Sequence, residues 1–421
     1  MYSRIAKILT FWIPFKHLRR KSRNALSRHL SKMFTKILFQ KEFSQFMSLY
    51  RDSKDICFIF DAIHFDIVQF MRPQQLALHF AKLGHLVFYK DKHCLTYKKI
   101  TTNLYRINPD WILDKRLQSP KTCYYLNALI SNHITNKLFE QHSKNVRKTQ
   151  RSSNSQSQLA NNHFSVIYDL PDEIHPDISG DVSVQLERYN NLETISPTLI
   201  VATAKNLYDN MAARFPKERV LLNQNGVVLE DWEIKNNVQI PDDLANIVAE
   251  KRPIVGYHGS MAPWLNYDLL DALHKQRPEY NFIYIGVDYD GALKNLKIRD
   301  NVHFLGPKNY KTLSSYGIHF DCCIIPFLEG EIAKATSPVK LFEYMAMKKP
   351  VVVTKDLQEC YGYDGILVSQ STDDFINNVD KAIQLSKDKE IQDKLYSYAQ
   401  QNTWEKRAQD IVTRLKELIN K

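Results

Sequence analysis

The sequence predicts an α/β protein in which two Rossmann-like domains face each other across a cleft, preceded by a basic helical arm. Three observations predict it. Short apolar runs alternate with helix-length segments over most of the 421 residues, the pattern of buried parallel strands and crossover helices. Glycine is scarce at 12 residues and unevenly spread, with Gly84 and Gly180 the only two before position 225. Nearly all of the net charge of +11 sits at one end.

The arm comes first. Residues 1–50 hold eleven Lys and Arg against a single acid, Glu42, so the charge describes this segment and not the body of the chain. From Leu18 onward, Ser22, Ala25, Leu26, His29, Leu30, Met33 and Ile37 recur at helical spacing with Arg and Lys between them, behind Phe11-Trp12-Ile13-Pro14-Phe15. A basic amphipathic helix with aromatic residues suits an anionic membrane surface. The same stripe would also suit packing on the protein's own core, and nucleic-acid binding is the least favoured use. The apolar run Ile8–Phe15 is too short to span a bilayer and lacks a small-residue cleavage site, so neither a transmembrane helix nor a secretory signal is expected.

Residues 51–240 form the first predicted domain. Ile56–Phe60, Leu86–Lys90, Asn103–Ile107, Val166–Asp169, Leu199–Thr203 and Val220–Asn223 read as strands, and Pro73–Leu83, Lys121–Phe139 and Lys205–Phe215 as helices. The polar, low-complexity stretch 143–162 reads as a mobile loop.

Residues 241–401 form the second. Its strands are Pro253–Tyr257, Phe282–Gly286, Val302–Gly306, Cys322–Phe327, Pro350–Thr354 and Ile366–Ser369; its helices include Leu265–Arg277, Tyr310–Ile318 and Val339–Met347. Several strands end in Gly or Pro, where such sheets bind ligands. Six cysteines show neither a CxxC nor a zinc spacing and read as reduced, buried thiols.

One stretch concentrates the chemistry: Ala335-Thr-Ser-Pro-Val-Lys-Leu-Phe-Glu-Tyr-Met-Ala, ahead of Pro350-Val-Val-Val. Ser337 is placed to cap a helix with Pro338 at its first position. The free N–H groups and positive end of that helix would accept a diphosphate, with Thr336, Ser337 and Pro338 at the tip and Lys340 adding charge. Glu343, about one turn further on, could accept two hydrogen bonds from vicinal hydroxyls. The plain alternative is a capped helix with a solvated Lys and Glu.

After the first strand of the second domain, Gly256-Tyr-His-Gly259-Ser260 lets a ligand approach the backbone at Gly259, and His258 could donate to it; a satisfied histidine in a tight turn is the competing reading. On the first domain, His64, Arg72, Asp169 and Asp172 follow strand ends and are the candidates for the other side of the cleft. Arg72-Pro73 reads equally as a helix start, and Asp169 with Asp172 equally as a turn.

These stretches together resemble the GT-B retaining glycosyltransferases of family 4, the bacterial surface-polysaccharide type. The resemblance covers about 56–421. It is carried by the 335–353 stretch, Ile254-Val-Gly-Tyr-His-Gly, Val302-His-Phe-Leu-Gly-Pro, Tyr168-Asp-Leu-Pro-Asp-Glu, Asn223-Gln-Asn-Gly-Val and Asn402-Thr-Trp-Glu-Lys-Arg. It implies a GT-B fold with an acceptor domain, then a nucleotide-sugar donor domain, and a closing helix, 402–421, returning to the first. It also implies transfer from a nucleotide-sugar to a saccharide or lipid-linked acceptor in capsule, lipopolysaccharide or exopolysaccharide synthesis, at the inner face of the cytoplasmic membrane. Within it, Lys340, Glu343 and His258 are the candidate catalytic residues and Gly259, Ser260, Thr336, Ser337 and Pro338 bind the donor.

The chain departs from the family at one position: the first of the family's two glutamates falls on Ala335. Glu331, or less suitably Glu329, would have to swing in. The usual Arg/Lys pair for the diphosphate is absent from the 256–264 loop. Asp288-Tyr-Asp290 resembles a metal motif of a different glycosyltransferase fold, and no metal, cofactor or nucleic acid is expected. A silent GT-B scaffold of a membrane assembly is the alternative function, motivated by Ala335.

Overall fold

The computed structural model of the chain describes residues 39–67, 70–130, 136–144, 164–233 and 239–420, with residues 7, 9–10 and 18–26 ahead of them. Fourteen strands are present among these residues, in two sheets. In the first half they are β1 (Cys57–Asp61), β2 (Leu86–Lys90), β3 (Tyr97–Thr101), β4 (Leu104–Ile107), β5 (Thr122–Asn127), β6 (Ser165–Leu170), β7 (Leu199–Ala202) and β8 (Val220–Leu222). They lie in the order β3-β4-β2-β1-β5-β6-β7-β8, parallel except for the β3–β4 hairpin at the edge. The second half contributes β9 (Ile254–His258), β10 (Asn281–Ile285), β11 (Val302–Phe304), β12 (Cys322–Ile325), β13 (Val351–Thr354) and β14 (Ile366–Ser369), all parallel in the order β11-β10-β9-β12-β13-β14.

In both sheets the order turns back beside the first strand: β2 and β5 flank β1, while β10 and β12 flank β9. The C-terminal ends of the strands on either side of such a point diverge and leave a crevice. The central strands β1, β5, β6, β9, β10, β12 and β13 are buried throughout, which explains why they read as continuous apolar runs rather than alternating ones.

Two sequence expectations need correction. Lys121–Phe139 is not one helix. Its first part is β5, because Thr122, Cys123, Tyr124, Tyr125 and Leu126 sit between β1 and β6 and are fully covered on both faces. Among the described residues after β5, 136–144 are helical, and residues 131–135 and 145–163 lie outside the described residues. Second, the end of the basic arm belongs to the first domain. The helix Gln40–Asp52 runs across position 50 and buries Phe43, Phe46, Met47 and Tyr50 against Phe88 and Trp111. Residues 18–26 are helical; the remainder of the arm's stripe lies outside the described residues.

The helix Trp404–Ile419 leaves the second domain and packs on the first. Trp404, Ala408, Ile411, Val412 and Leu415 are buried with Phe58, Phe80, Leu76 and Val201. It starts on the Thr403 hydroxyl, which accepts the Lys406 N–H. No helix among the described residues is long and apolar enough to cross a membrane. Because Ile411 is fully buried in this seam, Ile411→Ala is expected to cost about 2–5 kcal/mol, read as a lowered urea midpoint at unchanged slope.

Candidate active site

Both crevices open into one cavity of about 560 Å³ between the domains. Its second-domain wall is built from the end of β9, the loop after β12 and the start of the helix Val339–Ala346.

The turn after β9 exists because two glycines touch. A Cβ on Gly286 would stand 1.7 Å from the Gly259 carbonyl oxygen, and Gly259 itself has φ +139°. A Cβ on Gly259 would also stand 2.9 Å from Lys340 Cε, so this glycine makes room for the lysine.

Lys340 lies in the first turn of the helix. Its ammonium sits 5.2 Å from the ring centre of Tyr257 and 5.3 Å from that of Phe327, close enough for cation–π attraction. It has no hydrogen bond or ion pair among the described residues. Burial pulls its pKa down to about 8, against the opposing pull of Glu343 and Asp172. Above it are the first N–H groups of Val339–Ala346, which have no acceptor within the helix. The cap differs from expectation by one residue: Pro338 is the N-cap, and Ser337 does not cap. The Ser337 hydroxyl instead accepts the Asn225 N–H at 3.1 Å, and its carbonyl accepts from Asn225 Nδ2 at 2.6 Å. The loop is therefore fixed by the opposite domain.

Glu343 is 5% exposed and meets His258, whose Nε2 is 2.7 Å from Glu343 Oε2. The imidazole stacks on Trp232 and stands edge-on to Tyr344, while the Tyr344 hydroxyl accepts the His258 N–H. Trp232 Nε1 and Gln75 Nε2 both donate to Tyr310, which lines the same cavity. Nothing in the spacing of Trp232, Tyr310 or Gln75 announced them. The structure thus brings together His258, Gly259, Ser260, Thr336, Ser337, Pro338, Lys340 and Glu343 on one wall.

The four first-domain candidates separate. Asp172 lines the cavity beside Thr336; burial raises its pKa to about 7, partly offset by Lys340 and Arg72. Asp169 is fully buried and outside the cavity lining, because Arg72 holds it through Nε and Nη2 at 3.0 Å and Tyr125 donates to its other oxygen. Arg72 lines the cavity with its fork already used by Asp169, Asn223, Gln224 and Asn225. His64 lies apart, with Nε2 3.2 Å from Asp91 in the cluster that Asp66 and Arg106 complete.

Ala335 is fully buried, and it packs with the first domain's core. Neither expected substitute fills its place. Glu329 is exposed and pairs with Lys355, and Glu331 is exposed on a short helix outside the cavity lining. Asp288 accepts the Leu293 N–H and so closes a turn.

A family model described as glycosyl transferases group 1 matches residues 252–385, which hold this entire wall. The likeness to that family is carried by these residues. The curated relative named "Putative teichuronic acid biosynthesis glycosyltransferase TuaH" from Bacillus subtilis (strain 168) is 28% identical over 197 residues, 45% of this chain and 48% of its own, so the match spans about half of that relative. Among solved structures, sucrose-phosphate synthase from Thermosynechococcus elongatus matches 87% of this chain and all of its own, with TM-score 0.59 and 15% identity. The UDP-forming α,α-trehalose-phosphate synthase of Burkholderia vietnamiensis covers 86% of this chain and 97% of its own, with TM-score 0.62 and 9% identity. Anabaena HepE in complex with UDP and glucose covers 86% and 99%, with TM-score 0.52 and 15% identity. At these identities the likeness is one of fold, and that fold is GT-B.

Two outcomes follow from this geometry. Asp169→Ala strands the buried Arg72 charge and should cost about 3–5 kcal/mol in urea unfolding, whereas an acceptor-binding role alone would leave stability unchanged. Lys340 is charged below its lowered pKa of about 8 and neutral above it, so anion binding should weaken as pH rises through that value. UDP titrations between pH 7 and 9.5 should show an approach to about tenfold loss per unit, absent in Lys340→Met.

Proposed function

We propose that the protein is a retaining glycosyltransferase of family 4 that moves a sugar from a nucleoside-diphosphate-sugar to a saccharide or lipid-linked acceptor in bacterial cell-surface polysaccharide synthesis. One observation carries the reading. A half-buried lysine that makes no hydrogen bond or ion pair among the described residues and a helix N-terminus point at the same corner of an interdomain cavity, one helical turn from the Glu343–His258 pair.

Transfer breaks the bond between the sugar's anomeric carbon and the diphosphate and forms one to the acceptor oxygen. Negative charge grows on the departing diphosphate, and positioned N–H groups with a cation meet it at no cost of reorganisation. Lys340 and the N–H groups of Val339–Ala346 take this role, with Gly259 and Ser260 alongside. Glu343 holds the ribose hydroxyls, its orientation set by His258. Retention calls for the acceptor hydroxyl to attack from the face the diphosphate leaves, passing its proton to that phosphate; no protein nucleophile is assigned. The reading assigns no metal or cofactor. Asp172, facing Thr336 across the cleft, offers a carboxylate to the donor sugar on the side where Ala335 offers none. The basic arm holds the enzyme at the inner face of the cytoplasmic membrane.

The buried Ala335 favours a second reading, a GT-B scaffold without turnover. The two are separated by melting the protein with UDP, GDP and CMP. One nucleotide at 100 times its dissociation constant should add about 2.7 kcal/mol to the wild type and much less to Glu343→Gln, which keeps the side-chain volume. No stabilisation by any of the three would favour the scaffold.

A further inference from the structure

Tyr310 opens the one-turn helix Tyr310–Thr312 and lines the cavity. Two N–H groups point at its hydroxyl oxygen. Trp232 Nε1 donates at 3.0 Å, and Gln75 Nε2, on the helix Arg72–Lys82 of the first domain, donates at 3.4 Å. An indole nitrogen can only donate, so towards the protein this oxygen is an acceptor. The hydroxyl hydrogen is turned away from both donors, and no acceptor takes it among the described residues. Burial first, and then the charge of Glu343, hold the phenol's pKa well above its ordinary value. The hydrogen therefore stays in place at neutral pH, and Glu343 is near enough to be felt.

Glu343 is itself only half open to a ligand. His258 Nε2 stands 2.7 Å from its Oε2, and Oε1 has no partner among the described residues. A carboxylate with both oxygens open can take one of two vicinal hydroxyls on each. With Oε2 engaged, a diol is held more firmly when one of its oxygens also receives a hydrogen. A hydroxyl has two lone pairs for that purpose, whether or not it donates elsewhere. An acceptor at Glu343 and a donor at Tyr310 thus complement a ribose diol.

We infer that Tyr310 gives its hydroxyl hydrogen to a ribose hydroxyl oxygen of the nucleotide, beside the carboxylate of Glu343, and that Gln75 reaches across from the first domain to hold Tyr310 in that direction. Tyr310 then selects ribose over deoxyribose. Gln75, buried and outside the cavity lining, is a positioning residue. This rests on the transferase reading above and deepens its donor site. It also makes ribose recognition a property of both domains, because one of the two bonds that direct Tyr310 comes from the helix that starts at Arg72.

The test is isothermal titration calorimetry of the full chain with UDP, GDP and CMP, and with the 2′-deoxy and 3′-deoxy analogues of each nucleotide that binds. Wild type should prefer the ribonucleotide over one of its deoxy analogues by about 100-fold, since that analogue loses two hydrogen bonds. Tyr310→Phe should weaken the ribonucleotide about tenfold and leave that analogue's affinity unchanged, so the preference falls to about tenfold. Gln75→Glu keeps the hydroxyl but offers it an acceptor in place of a donor; the hydrogen turns to residue 75, and the preference should fall in the same way. The ratio of the two affinities does not depend on how much of a variant is folded, because a smaller competent fraction scales both alike. Equal weakening of the ribonucleotide and both analogues by Tyr310→Phe overturns the inference, since the hydroxyl would then act through the base or through packing. An unchanged ratio in both variants overturns it as well, and leaves the transferase reading standing. Binding of none of the three nucleotides by wild type removes that reading and this inference together.

Discussion

The arrangement of the cleft depends on one buried guanidinium. Arg72 is 3% exposed, and removing a charge from water is expensive unless every donor finds an acceptor. Its acceptors come from two places: Asp169 at the end of β6, and the 223–225 loop that leads out of the first sheet. That loop in turn holds Ser337 through Asn225, and Ser337 precedes the helix carrying Lys340 and Glu343. A chain of polar contacts thus runs from the core of one domain to the N-terminal end of a helix in the other. Each link is short and nearly dry, so the position of the helix is set by directional bonds as well as by packing.

This explains how Arg72 and Asp169 resemble site residues in sequence without both serving as such. A charged residue just after a strand end points toward the crevice in this class of fold, whether it greets a ligand or another side chain. Spacing cannot separate the two, because the partner is 97 residues away. Lys340 is the opposite case: its local surroundings, a proline-led helix start and a loop glycine, already single it out in the sequence, and the structure adds its place on the cavity wall.

Much of the fold was legible for one reason. Parallel strands covered on both faces are mostly apolar, so β1, β2, β6, β7, β9, β10, β12 and β13 stand out as runs. Thr122–Asn127 was missed because its two tyrosines, with Asn127 and the polar residues after it, imitate one face of a helix; tertiary burial between two neighbours decides its state. Trp232 and Tyr310 were invisible for a different reason. They lie far apart in sequence and act as a platform behind His258, and no local pattern encodes such a contact. Likewise Ser337 has every mark of a cap, yet the opposite domain claims its hydroxyl first.

The two domains also share a less obvious bond. The helix Lys205–Ala212 of the first domain begins at Ala204, which has no side chain to cap it, and Glu359 of the second domain supplies the missing acceptor to the Lys205 N–H while its other oxygen takes Gln224. Capping that a helix ordinarily obtains from its own sequence is here borrowed across the cleft. Separating the domains would strand a helix end and a 7% exposed carboxylate together, and both would have to turn to water. The contact therefore acts as a clasp. Parting the domains at this point would break both bonds at once, so the contact favours the arrangement in which the two sheets face each other.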